Sequence, residues 1–113
     1  MDLIHARQGE YLIVAVNAAR IDASAALGFK DSMNAIDESN SKILLNLGQV
    51  EFIESSVLGS VISVMKHLGK GCKMDLCALT PTVEKVFRLT RMGSIFAIYA
   101  TLDQAVSDQQ TTG

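Results

Sequence analysis

Apolar residues recur along this chain in short blocks whose spacing switches between two and three-to-four, so strands and helices alternate. Residues 3–6 and 10–17 read as two strands around a Gln8-Gly9 turn. In the second, Leu12, Val14 and Val16 point one way and Tyr11, Ile13 and Ala15 the other. Both faces are then largely apolar, which places this strand inside a covered sheet. Asp22 or Ser24 next caps a helix in which Ala26, Phe29, Met33 and Ile36 fall at steps of three, four and three. Residues 37–41 form a polar connection.

The second half continues the alternation. Residues 42–47 read as a buried strand, and Leu58, Val61, Ile62, Met65 and Leu68 form the stripe of a helix from about residue 56 to 68. Gly69-Lys70-Gly71 supplies its stop. Residues 74–79 form another strand, after which Thr80-Pro81 offers a cap with proline at the first helical position, where its missing N–H costs nothing. Val83, Val86 and Phe87 are the buried stripe of that helix; Gly93 breaks the pattern. Residues 95–100 make a last apolar strand, and Leu102, Ala105 and Val106 support a short closing helix. One domain is expected over residues 1–108, with 109–113 as a disordered polar tail. The implied class is α/β: a mixed, mostly parallel sheet of about four to five strands with about four helices packed against it.

Composition narrows the function. With 113 residues, 49% of them apolar, the chain can bury a core without staples. Ten basic and 12 acidic side chains leave a net charge of −2, so no strong field gathers nucleic acid or anionic lipid. Partners are then recognised by shape. No apolar run approaches a membrane span, and Met1-Asp2-Leu3-Ile4-His5 lacks the features of a signal peptide, so a soluble, cytoplasmic protein is expected.

Catalytic and metal chemistry find little support. Cys72 and Cys77 have neither redox nor zinc spacing and read as reduced core thiols; His5 and His67 are isolated. No metal or cofactor is expected. The glycines at 28, 48, 59, 69, 71 and 93 make no phosphate loop. Ser55 and Ser56 lack a hydrolase elbow, and a triad could use only His5 or His67, the latter about three turns away on the same helix. Glu51 and Glu54 read as exposed flanks of a strand. The chain is not expected to be an enzyme.

Residues 52–59, Phe-Ile-Glu-Ser-Ser-Val-Leu-Gly, set two adjacent hydroxyls where an apolar strand region meets a helix. First-turn N–H groups have no intrahelical partner and the macrodipole is positive there, so Ser55 and Ser56 could cap the helix or accept a phosphate. Gly59 reads as a close-packing glycine, and Val57 falls at the edge of the apolar stripe.

In this strand–loop–helix context, Glu54-Ser55-Ser56-Val57-Leu58-Gly59 resembles the signature of the STAS domain, and of its bacterial anti-sigma factor antagonists in particular. Asn46-Leu47 matches the pair that ends the preceding strand in that family. Ile21-Asp22 resembles its Leu-Asp element before the first helix, and residues 77–83, Cys-Ala-Leu-Thr-Pro-Thr-Val, its strand-to-helix segment. Glu54 stands where the family has Asp, and Val57 where it has Gly.

The resemblance implies a non-catalytic phosphoprotein with Ser55 as acceptor and Ser56 as the cap. Unmodified, it would bind an anti-sigma serine kinase of the GHKL type and displace the sigma factor. Phosphorylation would end binding, and a PP2C-like phosphatase would restore it. Asp22, Glu54, Ser55, Ser56, Val57, Leu58 and Gly59 would form the partner surface. Neither direct nucleic-acid binding nor membrane association is implied, and a homodimer is compatible with the sequence. A rival reading is an unphosphorylated STAS subunit of an ABC lipid transporter; another is the same switch with an output other than a sigma factor.

Overall fold

The computed structural model describes residues 3–8, 11–34, 42–67, 73–91 and 96–111. Gly9 of the expected first turn, Ile36, the 37–41 connection, Leu68, the Gly69-Lys70-Gly71 stop, Cys72, Gly93 and Ile95 lie outside these residues, as do the side chains of Met65 and His67. In chain order the elements are β1 (Leu3–Gln8), β2 (Tyr11–Val16), β3 (Arg20–Ile21), α1 (Ala23–Asn34), β4 (Lys42–Asn46) and β5 (Phe52–Ile53). A 3-10 turn (Ser55–Val57) then leads into α2 (Leu58–His67), β6 (Lys73–Cys77), α3 (Pro81–Leu89), β7 (Ile98–Tyr99) and α4 (Leu102–Thr111).

The main sheet has five strands in the order β1-β2-β4-β6-β7, and β3 and β5 form a separate two-stranded ribbon. β1 runs antiparallel to β2, with Leu3 opposite Val16 and Gln8 opposite Tyr11. The remaining pairings are parallel, with Leu12 opposite Ile43, Ile43 opposite Met74 and Leu76 opposite Ile98. Parallel strands need crossover connections, and α1, α2 and α3 supply them.

The two-faced pattern of β2 sorts the core into two layers. Val14 and Val16 join Ile43, Leu45, Met74 and Leu76 under Phe29 and Met33 of α1, Val61 and Val64 of α2, and Val83 and Phe87 of α3. Tyr11 and Ile13 face the other way and join Leu44, Cys77, and Ala105 and Val106 of α4. Burying each large aliphatic side chain contributes about 1.5–3 kcal/mol, so the sheet is stabilised from both sides.

Several boundaries differ from expectation. β6 stops at Cys77 because Ala78 takes a left-handed conformation, φ 60°, which turns the chain out of the sheet. α4 continues to Thr111, through residues read from sequence as the start of the tail. Pro81 does begin α3, but the Thr80 side chain makes no cap bond. Its hydroxyl instead donates to the Val50 carbonyl at 2.7 Å, tying the start of α3 to the turn after β4. No described helix is long and apolar enough to cross a membrane.

Candidate functional site

The motif begins with a tightly held turn. At the end of β4, the Asn46 carboxamide oxygen accepts the Gly48 N–H at 2.9 Å, and Val50 N–H donates to the Leu47 carbonyl at 3.0 Å. The N–H groups of Glu51 and Phe52 then reach the Ala19 carbonyl at 2.7 and 3.1 Å, and the chain enters the ribbon with Arg20 opposite Phe52 and Ile21 opposite Ile53. Ile21 and Ile53 are buried, whereas the Arg20 guanidinium lies 5.1 Å over the Phe52 ring, which is 37% exposed. Glu54 N–H closes the ribbon on the Ile21 carbonyl at 3.0 Å.

Past the ribbon the chain turns through the 3-10 segment, where Val57 N–H donates to the Glu54 carbonyl at 2.9 Å and Leu58 N–H to that of Ser55. Val57 and Leu58 are each only 1% exposed and belong to the core. They were expected on the partner surface; their side chains instead anchor the junction from behind. The reason is geometric: Val57 stands four and seven residues before the buried Val61 and Val64, so at about 3.6 residues per turn it falls on the same inward face.

Ser55 and Ser56 stay on the outside. Glu54, not either serine, holds the N-cap position of the 3-10 turn that leads into α2, and no side-chain cap bond forms there. The Ser55 hydroxyl has no hydrogen-bond partner among the described residues. Ser56 Oγ donates to Glu54 Oε2 at 3.5 Å. Gly59 is exposed, and a methyl group built on it would meet nothing within 4 Å, so close packing does not account for it.

Glu54, expected as an exposed strand flank, is half-buried and engaged. Its Oε2 accepts the N–H of Ala23 at 2.8 Å, across 31 residues of sequence. Ala23 opens α1, where early N–H groups lack helical partners. Asp22, rather than Ser24, caps the same helix: its Oδ1 accepts the Ala25 N–H at 3.0 Å and the Ser24 hydroxyl at 2.7 Å. Those bonds, the Ser24 hydroxyl first, hold the Asp22 carboxyl below its ordinary 3.8. Asp22, Glu54, Ser55, Ser56 and Gly59 thus share one rim, where α1 and α2 begin side by side.

Sequence reasoning missed the ribbon and with it Arg20 and the Glu54 clamp; two-residue strands carry no period to detect. Nor did it single out Asp75, which is fully buried and accepts a hydrogen bond from Tyr11. Chemically, the rim offers exposed hydroxyl acceptors at the positive end of a helix. Among the described residues, no group of three or more His, Cys, Asp and Glu side chains could hold a metal ion. A shallow depression of about 220 Å³, lined by Leu79, Glu84, Ile98, Tyr99 and Ala100, shares no residue with the motif.

Comparison with known proteins agrees with this architecture. BtrV of Bordetella bronchiseptica, whose name marks it provisionally as an anti-sigma factor antagonist, is 28% identical over 110 residues, covering 96% of this chain and 87% of its own. The crystal structure of an anti-sigma factor antagonist from Mycobacterium paratuberculosis superposes with a TM-score of 0.83 at 24% identity, over 95% of this chain and 92% of that one. The anti-sigma factor antagonist SpoIIAA in its unphosphorylated form gives 0.77 at 19% identity, over 97% of both chains. At such identities the structures speak for the fold alone. The STAS domain family matches residues 3–105, and the chain therefore belongs to it.

Proposed function

We propose that this protein is an anti-sigma factor antagonist acting in the cytoplasm as a binding regulator rather than an enzyme. In its unmodified form it binds an anti-sigma serine kinase; phosphorylation of Ser55 releases that kinase, and a PP2C-like phosphatase resets the switch. In the forward step the γ-phosphoryl group of ATP passes to Ser55 Oγ as the bond to ADP breaks, and the hydroxyl proton leaves.

The observation that carries the reading is the state of Ser55: an exposed hydroxyl without a partner among the described residues, on a loop whose neighbours Val57 and Leu58 are fixed in the core. An incoming active site can reach it without unfolding anything. Relatives named as anti-sigma factor antagonists add support, as does the likeness to a fold known in unphosphorylated and phosphorylated forms of SpoIIAA. Asp22, Glu54, Ser55, Ser56 and the bare backbone at Gly59 form the contact rim, with Val57 and Leu58 supporting it from beneath.

The switch follows from charge. A phosphate adds about −1.5 to −2 charges near pH 7, and a close-packed interface cannot desolvate that unpaired charge cheaply. A penalty of ~3 kcal/mol weakens binding about a hundredfold, with no large conformational change needed. The test is incubation with the cognate kinase and ATP, followed by peptide mass spectrometry. One phosphate should appear on the Ser55 peptide and disappear in Ser55→Ala, which should bind the kinase constitutively while Ser55→Asp binds poorly. Modification elsewhere, or equal affinities of the two variants, would overturn the reading.

A further inference from the structure

Resting on the switch reading above, we propose that Glu54 is a positioning residue whose carboxylate works inward, clamping the acceptor loop to the first turn of α1 so that Ser55 is presented in a fixed pose. The residue is held on several sides. Its N–H donates to the Ile21 carbonyl at 3.0 Å, its carbonyl accepts from Val57 N–H at 2.9 Å, and its Oε2 accepts from Ala23 N–H at 2.8 Å. The same oxygen takes the Ser56 hydroxyl at 3.5 Å.

Two carboxylates therefore serve the start of α1, and they do not duplicate each other. Asp22 takes the N–H of Ala25 from within the local chain, whereas the N–H of Ala23 is reached from the acceptor loop. Side-chain length matters. The ribbon fixes the backbone of residue 54, so an Asp there would withdraw its carboxylate by about 1.5 Å, one carbon–carbon bond. A 2.8 Å contact would then open past hydrogen-bond range. The extra methylene of Glu54 is what spans the gap between loop and helix. Because Ala23 is exposed, water replaces the lost bond readily, so breaking the clamp should loosen the loop more than it destabilises the fold.

The variants Glu54→Gln, Glu54→Asp and Glu54→Ala separate this role from a direct charge contact with the kinase. Gln keeps an acceptor oxygen at the same reach but carries no charge. Using full-length protein with its cognate kinase and ATP, Gln should retain at least about fivefold more of the wild-type kcat than either Asp or Ala. Asp and Ala should lose at least about tenfold in kcat, with a smaller change in KM, as expected when a reacting group is misplaced. In labelled protein without kinase, the Ala23 amide should shift and exchange faster in Asp and Ala but not in Gln, while the Ala25 amide keeps its protection.

A Gln variant as impaired as Ala would overturn the proposal, because the charge itself would then be what the kinase needs. An Ala23 amide unchanged across the series would also overturn it. Should the wild type take no phosphate on Ser55, the switch reading fails, and the amide measurement still decides the clamp.

Discussion

The Tyr11 phenol donates a hydrogen bond to the Asp75 carboxylate inside the protein, tying β2 to β6 across the intervening β4. Burial raises the Tyr11 pKa well above its ordinary 10.0, and the bond to Asp75 and that residue's charge add to the effect, so the phenol remains a donor. Tyr11→Phe removes this donor from a carboxylate that is 0% exposed. Such a loss costs about 2–3 kcal/mol where the acceptor is charged. Urea unfolding of Tyr11→Phe, Asp75→Leu and the double variant should show strong coupling. The double variant should recover much of the first loss, since an apolar pair leaves no buried charge to satisfy. Strictly additive losses would mean that the bond contributes nothing of its own.

Gly59 tests whether the rim is shaped for folding or for contact. The space around its Cα is open to 4 Å in the direction a side chain would take, so Gly59→Ala meets no steric resistance. Removing a helical glycine should stabilise the protein by about 0.5–1 kcal/mol in thermal or urea unfolding. On the proposed partner surface, the same methyl group should weaken kinase binding. A destabilised variant would instead show that packing requires the glycine.

Acid should act first on the start of α1. Because the Asp22 pKa is lowered in the folded state, its contribution is present above the ordinary 3.8 and is lost as pH falls through the lower, folded value. Protection of the Ala25 amide, taken relative to its intrinsic exchange rate at each pH, should therefore fall only below about pH 3.8. Asp22→Asn keeps a capping oxygen and should flatten this dependence. Protection that is already lost well above that point would contradict the assignment.

Cys77 should behave as an inert thiol. Burial pushes its pKa up to about 11, so the reactive thiolate is scarce at neutral pH. Its protonated form supports folding below the ordinary 9.0, and that support is lost as pH rises toward 11. Alkylation near pH 8 should label Cys77 only as fast as the protein unfolds, with peptide mapping separating it from Cys72. Rapid labelling of folded protein would place the thiol at the surface.

Much of the fold was legible because its signals are local. The alternation of Tyr11 and Ile13 with Val14 and Val16 foretold a strand covered on both faces, and the stripe of Phe29 and Met33 foretold α1. The family motif led to the rim. What escaped depends on contacts between distant positions: Tyr11 with Asp75 are 64 residues apart, and Ala23 with Glu54 are 31 apart. Val57 was misplaced for a different reason: a stripe through Leu58, Val61, Ile62 and Met65 puts it at the edge, whereas the buried face runs through Val57, Val61 and Val64.

The pairing of Arg20–Ile21 with Phe52–Ile53 has a practical corollary for anyone choosing reagents. A short synthetic peptide spanning the serine pair would lack its companion strand and the helix to which it is fastened. It would be a poor surrogate for the intact protein, as bait or as substrate. Only the finished fold displays those hydroxyls in their proper setting, so an enzyme that reads that setting also distinguishes mature molecules from unfolded ones.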